Sequence, residues 1–229
     1  MKIIFVGKWL VISLSFALSL VSCSGVVRET QGREAGNGVY PSAKEVRPLL
    51  NGTQIPDVSL VRSDGARISL RALVGGKPSI LVFYRGSWCP FCNLQFAGLG
   101  RVQPDIEKLG FQLIGISPDT PEKETAFSAS KIIPYVLLSD SELTAAKAFG
   151  IAFQVDPDTI KRMEGFGVSL DSATGHSLHQ LPVPAVFVLD KDGVINYEYV
   201  NPDFKYRLDP AVLMAMAEST LNGNAALKK

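Results

Sequence analysis

Residues 79–93 read SILVFYRGSWCPFCN, a nearly continuous apolar run that is followed five residues later by the first of two cysteines in a C-x-x-C spacing. The run 79–84 is typical of a central strand that is buried on both faces of a sheet. Residues 93–109 carry apolar side chains at steps of three or four, which predicts an amphipathic helix that Pro104 should kink or split. The cysteine pair is therefore predicted to lie at a strand-to-helix junction.

The rest of the chain extends this strand and helix into an alternating α/β order. A hairpin is predicted around the turn 63–65, before the central strand. After the first helix we expect alternating strands and helices, then a hairpin turning at Asp192-Gly193, then a last helix. The predicted segments are 56–61, 66–70, 111–117, 121–130, 135–138, 141–149, 185–190, 194–200 and 210–221. We predict one α/β domain, a central mixed β-sheet flanked by helices with an N-terminal β-hairpin.

Residues 152–180 interrupt this order. They lack a clean hydrophobic period and are predicted to be an insertion, a candidate lid over a site.

The chain has 23 basic and 22 acidic residues and a net charge of +1, so it has no excess of positive charge to attract a nucleic-acid backbone. Nucleic-acid binding is not expected.

The N-terminus has the pattern of an export signal. Lys2 and Lys8 precede a short apolar run over 9–21, and the alternative of a single-pass anchor needs a longer run that Lys8 interrupts. The sequence LVSC at 20–23 resembles the bacterial lipoprotein box, which implies a lipid-modified Cys23; ordinary signal cleavage is the alternative. We expect an exported, membrane-anchored protein of the cell envelope, with a signal over 1–22, a flexible tether over 23–48, a folded domain over 49–222 and a tail over 223–229.

The position of the cysteine pair predicts a division of roles. Cys89 would lie at a helix N-terminus, where free backbone N–H groups and the helix dipole favour a thiolate and lower its pKa. Cys92, one turn later, is within disulfide reach and should be more enclosed, which suits a resolving cysteine. Trp88 is expected to shield the pair, Pro90 to restrict the helix start, and Arg85 to add positive potential.

Two non-redox explanations of the pair are open. A zinc site would need further ligands, for which the H-x-x-H pair His176 and His179 are the candidates. A structural disulfide between Cys89 and Cys92 would close too small a loop to add much stability. Redox chemistry without a metal or another cofactor is the favoured interpretation.

Three segments, 83–93, 183–193 and 199–208, together resemble the alkyl hydroperoxide reductase/thiol-specific antioxidant family in its peroxiredoxin-like branch. The resemblance implies a thioredoxin-like fold and a thiol-dependent peroxidase. It further implies that Cys89 attacks a peroxide and becomes a sulfenic acid, and that Cys92 condenses with it to a Cys89–Cys92 disulfide. A thioredoxin-like partner would supply the electrons.

The sequence departs from the family pattern around the nucleophile. Gly86 and Val82 stand where standard members carry Thr or Ser and Pro, and Pro184 stands where an activating Arg is usual. Arg85, Ser87 and Arg207 are then the candidates for stabilising the leaving oxygen. Pro184 also occupies the position at which thioredoxin-like folds carry a cis-proline facing the active disulfide.

Two other functions remain open on the sequence alone. A membrane-tethered thiol-disulfide oxidoreductase acting on protein disulfides would use the same W-C-P-x-C motif and the same proline. A redox-sensitive binding module on the same fold is the non-catalytic alternative.

Overall fold

The computed structural model describes residues 38–131, 133 and 135–222. Within them the strands are β1 (Val39–Tyr40), β2 (Ser59–Arg62), β3 (Arg67–Ser69), β4 (Ser79–Phe83), β5 (Gln112–Ser117), β6 (Val136–Ser139), β7 (Ala152–Gln154), β8 (Gln180–Pro182), β9 (Ala185–Leu189) and β10 (Ile195–Val200). The helices are α1 (Leu70–Val74), α2 (Pro90–Lys108), α3 (Pro121–Lys131), α4 (Thr144–Ala148), α5 (Pro157–Gly165), α6 (Leu170–Thr174) and α7 (Pro210–Asn222). The predicted order of strands and helices is confirmed.

The main sheet has seven strands in the order β10-β9-β4-β5-β6-β2-β3. Strand β4 is parallel to β5 and antiparallel to β9, with Phe83 in register with both Ile116 and Ala185. The end of β4, the end of β5 and the start of β9 therefore meet at one edge of the sheet. The loop that carries Cys89 leaves from this edge.

All five residues of β4 are buried, because the sheet is covered on both faces. On one face Phe83 packs against Phe149 and Phe187, with ring centroids 5.0 and 5.9 Å away. On the other face Tyr84 packs edge-on against Phe96 of α2 at 4.7 Å. This two-sided burial fixes the strand that holds the cysteine loop.

Helix α2 runs without interruption through Pro104, so the predicted split is wrong. Proline removes one backbone N–H and crowds the carbonyl four residues earlier, which here belongs to Gly100 on the exposed side of the helix. Water can satisfy a carbonyl on that side. The buried stripe of Phe96, Leu99 and Ile106 keeps the helix on the sheet.

The first residues of the described chain form part of the fold. Strand β1 pairs in parallel with β7, and β7 pairs with β8, giving a second sheet of three strands. The boundary of the predicted tether at residue 48 is therefore wrong, because residues 39 and 40 pair with Ala152 and Phe153 of the insertion. The rest of the tether, the signal and the tail lie outside the described residues.

The insertion also has a regular structure, built from β7, α5, α6 and β8. Its buried Val155, Met163, Leu170 and Leu181 form a small apolar cluster against which Trp88 packs. The insertion therefore contacts the cysteine loop, as expected of a cover.

None of the helices in the described part of the chain is long and apolar enough to cross a membrane.

Gly150 fixes the start of the described chain to the main domain. Its φ is +71°, and a Cβ at this position would lie 2.0 Å from the carbonyl oxygen of Arg47. The same glycine accepts a hydrogen bond from the Arg47 amide at 3.0 Å. Only glycine allows this close approach of two backbones.

We predict that Gly150→Ala lowers the free energy of unfolding by at least about 2 kcal/mol, through left-handed strain and the backbone clash. Urea unfolding followed by circular dichroism measures it. Gly100→Ala is the control, because no atom outside the neighbouring backbone of α2 lies within 4 Å of its added Cβ, and we expect a small gain of about 0.5–1 kcal/mol there. Equal stability of Gly150→Ala and the wild type would show that the backbone at Arg47 does not pack against Gly150.

Candidate active site

Cys89 lies at the junction that the sequence predicts. It is the N-cap residue of α2, with an extended backbone at φ −85° and ψ 115°, and Pro90 occupies the first turn. The Cys89 carbonyl accepts hydrogen bonds from the amides of Cys92 at 3.0 Å and Asn93 at 3.1 Å. This turn places the two cysteines one helical turn apart at the positive end of the helix.

Both cysteines are free thiols with 0% exposure. Cys92 is enclosed as predicted, but it is not more enclosed than Cys89, because neither side chain is exposed. Trp88 and Phe91 pack against the cluster that contains both sulfurs, and Trp88 is in turn held by the insertion. Tertiary packing thus closes Cys89 off from solvent in this structure.

Arg85 supplies a cation directly beside Cys89. The side chain is only 7% exposed, and its Nη1 donates to Cys89 Sγ across 4.0 Å. The guanidinium carbon lies 4.1 Å from the ring centre of Phe204 and 4.9 Å from that of Trp88. Nη2 faces the Met163 sulfur at 3.9 Å. Stacking on two rings fixes the guanidinium beside the Cys89 sulfur.

Arg207 serves the other cysteine. Its Nη2 donates to Cys92 Sγ at 3.4 Å, although the two residues are 115 positions apart in the chain. Arg85 and Arg207, two of the three candidates for stabilising the leaving oxygen, therefore contact the sulfurs of Cys89 and Cys92. The third, Ser87, binds a carboxylate instead, because its amide donates to Asp119 at 2.6 Å and its side chain is also hydrogen-bonded to Asp119.

The surroundings separate the acidities of the two thiols. The pKa of Cys89 falls to about 6, mainly because the Cys92 thiol donates a hydrogen bond to it, and the charges of Arg85 and Arg207 lower it further. Burial raises the pKa of Cys92 well above its ordinary value, and the hydrogen bond and charge of Cys89 raise it further. At neutral pH the pair is one thiolate and one thiol.

The side chains around residue 86 leave no room for any residue larger than glycine. Its φ is +138°, and an added Cβ would lie 2.4 Å from Trp88 Nε1 and 2.7 Å from Asp119 Oδ1. A threonine or serine, as in the family pattern, would collide with both groups. The indole and the Asp119 carboxyl therefore occupy the place that a hydroxyl side chain would need.

Asp119 is a site residue that the sequence reasoning missed. It is fully buried, and burial raises its pKa. Its own amide is held at 3.0 Å by the Ser117 hydroxyl, which donates to Glu124, and Tyr84 donates to the other oxygen of Glu124. Burial raises the pKa of Glu124 to about 8. The sequence did carry a signal for Asp119, a polar residue two positions after the end of the buried strand β5.

Pro184 lies at the same edge, at the start of β9, but the prediction of a cis peptide bond is wrong. All peptide bonds among the described residues are trans. The Pro184 carbonyl accepts a long hydrogen bond of 3.4 Å from Asn201. The proline lines a small cavity with Arg85 and Phe204.

The histidines lie in the insertion. His179 Nε2 pairs with Asp171 at 2.8 Å, and His176 is exposed. Within residues 38–131, 133 and 135–222, no three His, Cys, Asp or Glu side chains are grouped so as to hold a metal ion.

Comparison with known proteins identifies the family. Residues 51–198, more than half of the chain, match the model of the AhpC/TSA family. The chain is 29% identical over 160 residues to peroxiredoxin Bcp of Escherichia coli K12, covering 70% of this chain and 90% of that protein. It is 30% identical over 150 residues to chloroplastic peroxiredoxin Q of Triticum aestivum, covering 66% of this chain and 58% of that protein.

The structural comparison agrees with the predicted fold. The crystal structure of peroxidoxin BcpB from Mycobacterium tuberculosis superposes with a TM-score of 0.58 at 20% identity, over 76% of this chain and 97% of that chain. Reduced Prx3 from Vibrio vulnificus in complex with H2O2 gives a TM-score of 0.61 at 15% identity, over 74% of this chain and 99% of that chain. The protein belongs to the AhpC/TSA family and has its thioredoxin-like fold.

We predict that Arg85→Met raises the pKa of Cys89 above about 6, because the charge that stabilises the thiolate is lost. The measurement is the pH dependence of Cys89 carbamidomethylation, read by mass spectrometry of its peptide. In the wild type we expect the rate to rise with pH through about 6 and then to level. In Arg85→Met the rise moves to higher pH. Arg101→Met, whose charge lies on the exposed side of α2, should keep the wild-type profile, and an unmoved profile in Arg85→Met would remove Arg85 from this role.

Proposed function

We propose that this protein is a thiol-dependent peroxidase that reduces hydrogen peroxide and organic hydroperoxides through Cys89, with Cys92 as the resolving cysteine. The observation that carries the proposal is the hydrogen-bonded pair of one acidic and one non-acidic thiol beside two arginines. Membership in a family whose matched relatives are named peroxiredoxins supports the same chemistry.

The first step forms one S–O bond and breaks one O–O bond. The Cys89 thiolate attacks the terminal peroxide oxygen, and the other oxygen leaves as alkoxide or hydroxide and takes a proton to become alcohol or water. The products are the Cys89 sulfenic acid and the reduced peroxide. Arg85 is held at the nucleophile and is placed to stabilise the negative charge on the leaving oxygen, which the absent Thr and Arg do in standard members.

The second step forms the disulfide. Cys92 Sγ attacks the Cys89 sulfur, the hydroxyl of the sulfenic acid leaves, and the Cys92 proton completes a water molecule. Arg207 at 3.4 Å favours negative charge on Cys92 as its proton is lost. A thioredoxin-like dithiol then returns the pair to the reduced state.

Substrate entry requires a movement of side chains. Both sulfurs are fully enclosed, and Phe91 and Phe204 are in edge-to-face contact with ring centroids 5.6 Å apart. Phe204 belongs to the connection between β10 and α7, and its ring is half-buried. Displacement of this ring from Arg85 opens the way to Cys89 without unfolding β4 or α2.

A thiol-disulfide oxidoreductase acting on protein disulfides is the second candidate. On the sequence, the W-C-P-x-C motif and a cis-proline at 184 favoured the oxidoreductase. The motif also fits the peroxidase, and the peptide bond before Pro184 is trans. The peroxide reaction distinguishes the two functions.

We predict that reduced wild-type protein is oxidised by hydrogen peroxide and by an organic hydroperoxide much faster than free cysteine, as measured by stopped-flow tryptophan fluorescence of Trp88. Cys89→Ser should lose all turnover. Cys92→Ser should consume one equivalent of peroxide and then stop, because the sulfenic acid has no resolving thiol.

Two results would contradict these roles. Oxidation of the wild type no faster than that of free cysteine excludes the peroxidase and favours the oxidoreductase. Full turnover in Cys89→Ser would overturn the assignment of the nucleophile. Cys23→Ser serves as the matched control, since the third cysteine of the chain has no part in the proposed cycle.

We also propose that the protein is exported and tethered to the membrane through lipid on Cys23. The support is the sequence at the N-terminus, which lies outside the described residues. Expressed in a bacterial host that lipidates exported proteins, the wild type should partition into detergent and Cys23→Ala into the aqueous phase. Equal partitioning of the two proteins into the aqueous phase would refute the tether.

A further inference from the structure

A third sulfur lies beside the Cys89 site and has no part in the proposed cycle. Met163 belongs to α5 of the insertion, and its side chain is only 9% exposed. Nη2 of Arg85 donates to Met163 Sδ across 3.9 Å, while Nη1 of the same guanidinium donates to Cys89 Sγ across 4.0 Å. Arg85 therefore contacts two oxidisable sulfurs, one through each of its terminal nitrogens.

A small cavity borders the same guanidinium. Its volume is about 150 Å³, which is large enough for several water-sized molecules, and its lining includes Arg85, Phe204 and Thr159. Thr159 and Met163 are four residues apart on α5, so they lie on the same face of this helix. A peroxide that enters the cavity and hydrogen-bonds to Arg85 is therefore next to Met163 as well as to Cys89.

The other neighbours of Met163 are apolar. It packs with Val155, Leu170 and Leu181, and Trp88 lies against this cluster. An oxygen added to a sulfur among such side chains is costly when it has no hydrogen-bond donor. Here the donor is in place, because the 3.9 Å from Sδ to Nη2 leaves room for an oxygen that is bound to the sulfur and accepts from Nη2 at about 2.9 Å in a bent arrangement. The site can hold methionine sulfoxide without repacking.

Two methionines of α7 lack this feature. Met214 and Met216 are half-buried, so their side chains are more exposed than that of Met163. Among the described residues, Met163 has a donor at its sulfur, whereas the Met214 and Met216 sulfurs have none. Exposure alone therefore favours oxidation in α7, whereas the position of Arg85 favours oxidation of Met163.

We propose that Met163 is a specific modification site, which peroxide bound at Arg85 converts to methionine sulfoxide, and that this sulfoxide slows the reaction of Cys89. A lone pair of Met163 Sδ forms a bond to the terminal peroxide oxygen, and the O–O bond breaks. The proton on the transferred oxygen passes to the leaving oxygen, which becomes water or an alcohol. The methionine loses two electrons and the peroxide gains them.

The effect on Cys89 follows from the hydrogen bond that the sulfoxide takes. Arg85 is placed to stabilise the leaving oxygen when Cys89 attacks a peroxide, and a sulfoxide oxygen at Nη2 competes for this donor. A thiolate reacts with peroxide before a thioether does, so Met163 is oxidised once Cys89 is held in its disulfide and peroxide remains. The slowing of Cys89 rests on the proposed function, whereas the oxidation of Met163 does not.

The order of methionine oxidation tests the site. The full chain is first oxidised to the Cys89–Cys92 disulfide with diamide, so that no thiolate consumes the peroxide. Hydrogen peroxide is then added, and sulfoxides are followed by peptide mass spectrometry. We expect Met163 to be oxidised at least threefold faster than Met214 and Met216. An equal or faster oxidation in α7 contradicts the proposal.

The configuration of the sulfoxide tests the part played by Arg85. An oxygen directed by Nη2 is added to one face of the sulfur and gives one epimer, and methionine sulfoxide reductases A and B each accept a different epimer. When the digested protein is treated with each reductase, we expect only one of them to restore Met163. Arg85→Leu should lose both this selectivity and the faster oxidation, whereas the control Arg101→Leu should keep them. Equal action of both reductases on the wild-type peptide rules out an oxygen directed by Arg85.

The effect on Cys89 is measured after dithiothreitol has reduced the disulfide, because this reagent leaves the sulfoxide intact. We expect the peroxide treatment to lower the rate constant for oxidation by hydrogen peroxide at least threefold in the wild type. Met163→Leu, which has a similar volume and no sulfur, should keep its own rate constant through the same treatment. An equal fall in both proteins, or no fall in the wild type, disproves the slowing. A wild type that reacts no faster than free cysteine refutes the proposed function and leaves the oxidation of Met163 to be judged by its sulfoxide alone.

Discussion

The site depends on a charge pair enclosed in apolar packing, the thiolate of Cys89 and the guanidinium of Arg85. A buried arginine is costly unless it is paired, and a buried thiolate is equally costly without a nearby cation. Each group compensates for the burial of the other, and the rings of Trp88 and Phe204 fix the guanidinium from two directions. The helix start at Pro90 and the Cys92 thiol complete the stabilisation.

The register of the sheet makes this arrangement possible. Because β4 lies between β5 and β9, the Cys89 loop meets Asp119 and Pro184 at one edge. The departures from the family pattern have a common physical basis there. Asp119 and Trp88 fill the space of the missing hydroxyl side chain beside Gly86, and the cation comes from the loop after β4 instead of from the residue before β9.

The two cysteines face different parts of the chain. The insertion reaches Cys89 through Met163 and Arg85, whereas the segment before α7 reaches Cys92 through Arg207. A pair only three residues apart can be served in this way because the helix turn directs its two sulfurs to different neighbours.

The sequence by itself determined the strand, the helix and the cysteine pair between them, because hydrophobic periodicity and the helix-start signals involve only nearby residues. Arg85 and Arg207 were also named as candidates from the sequence. Only the tertiary structure decided that Arg85 serves Cys89 and Arg207 serves Cys92, that Asp119 holds the loop, that Cys89 is enclosed and that residues 39 and 40 join a sheet. These features depend on contacts between residues up to 115 positions apart, for which no local pattern exists.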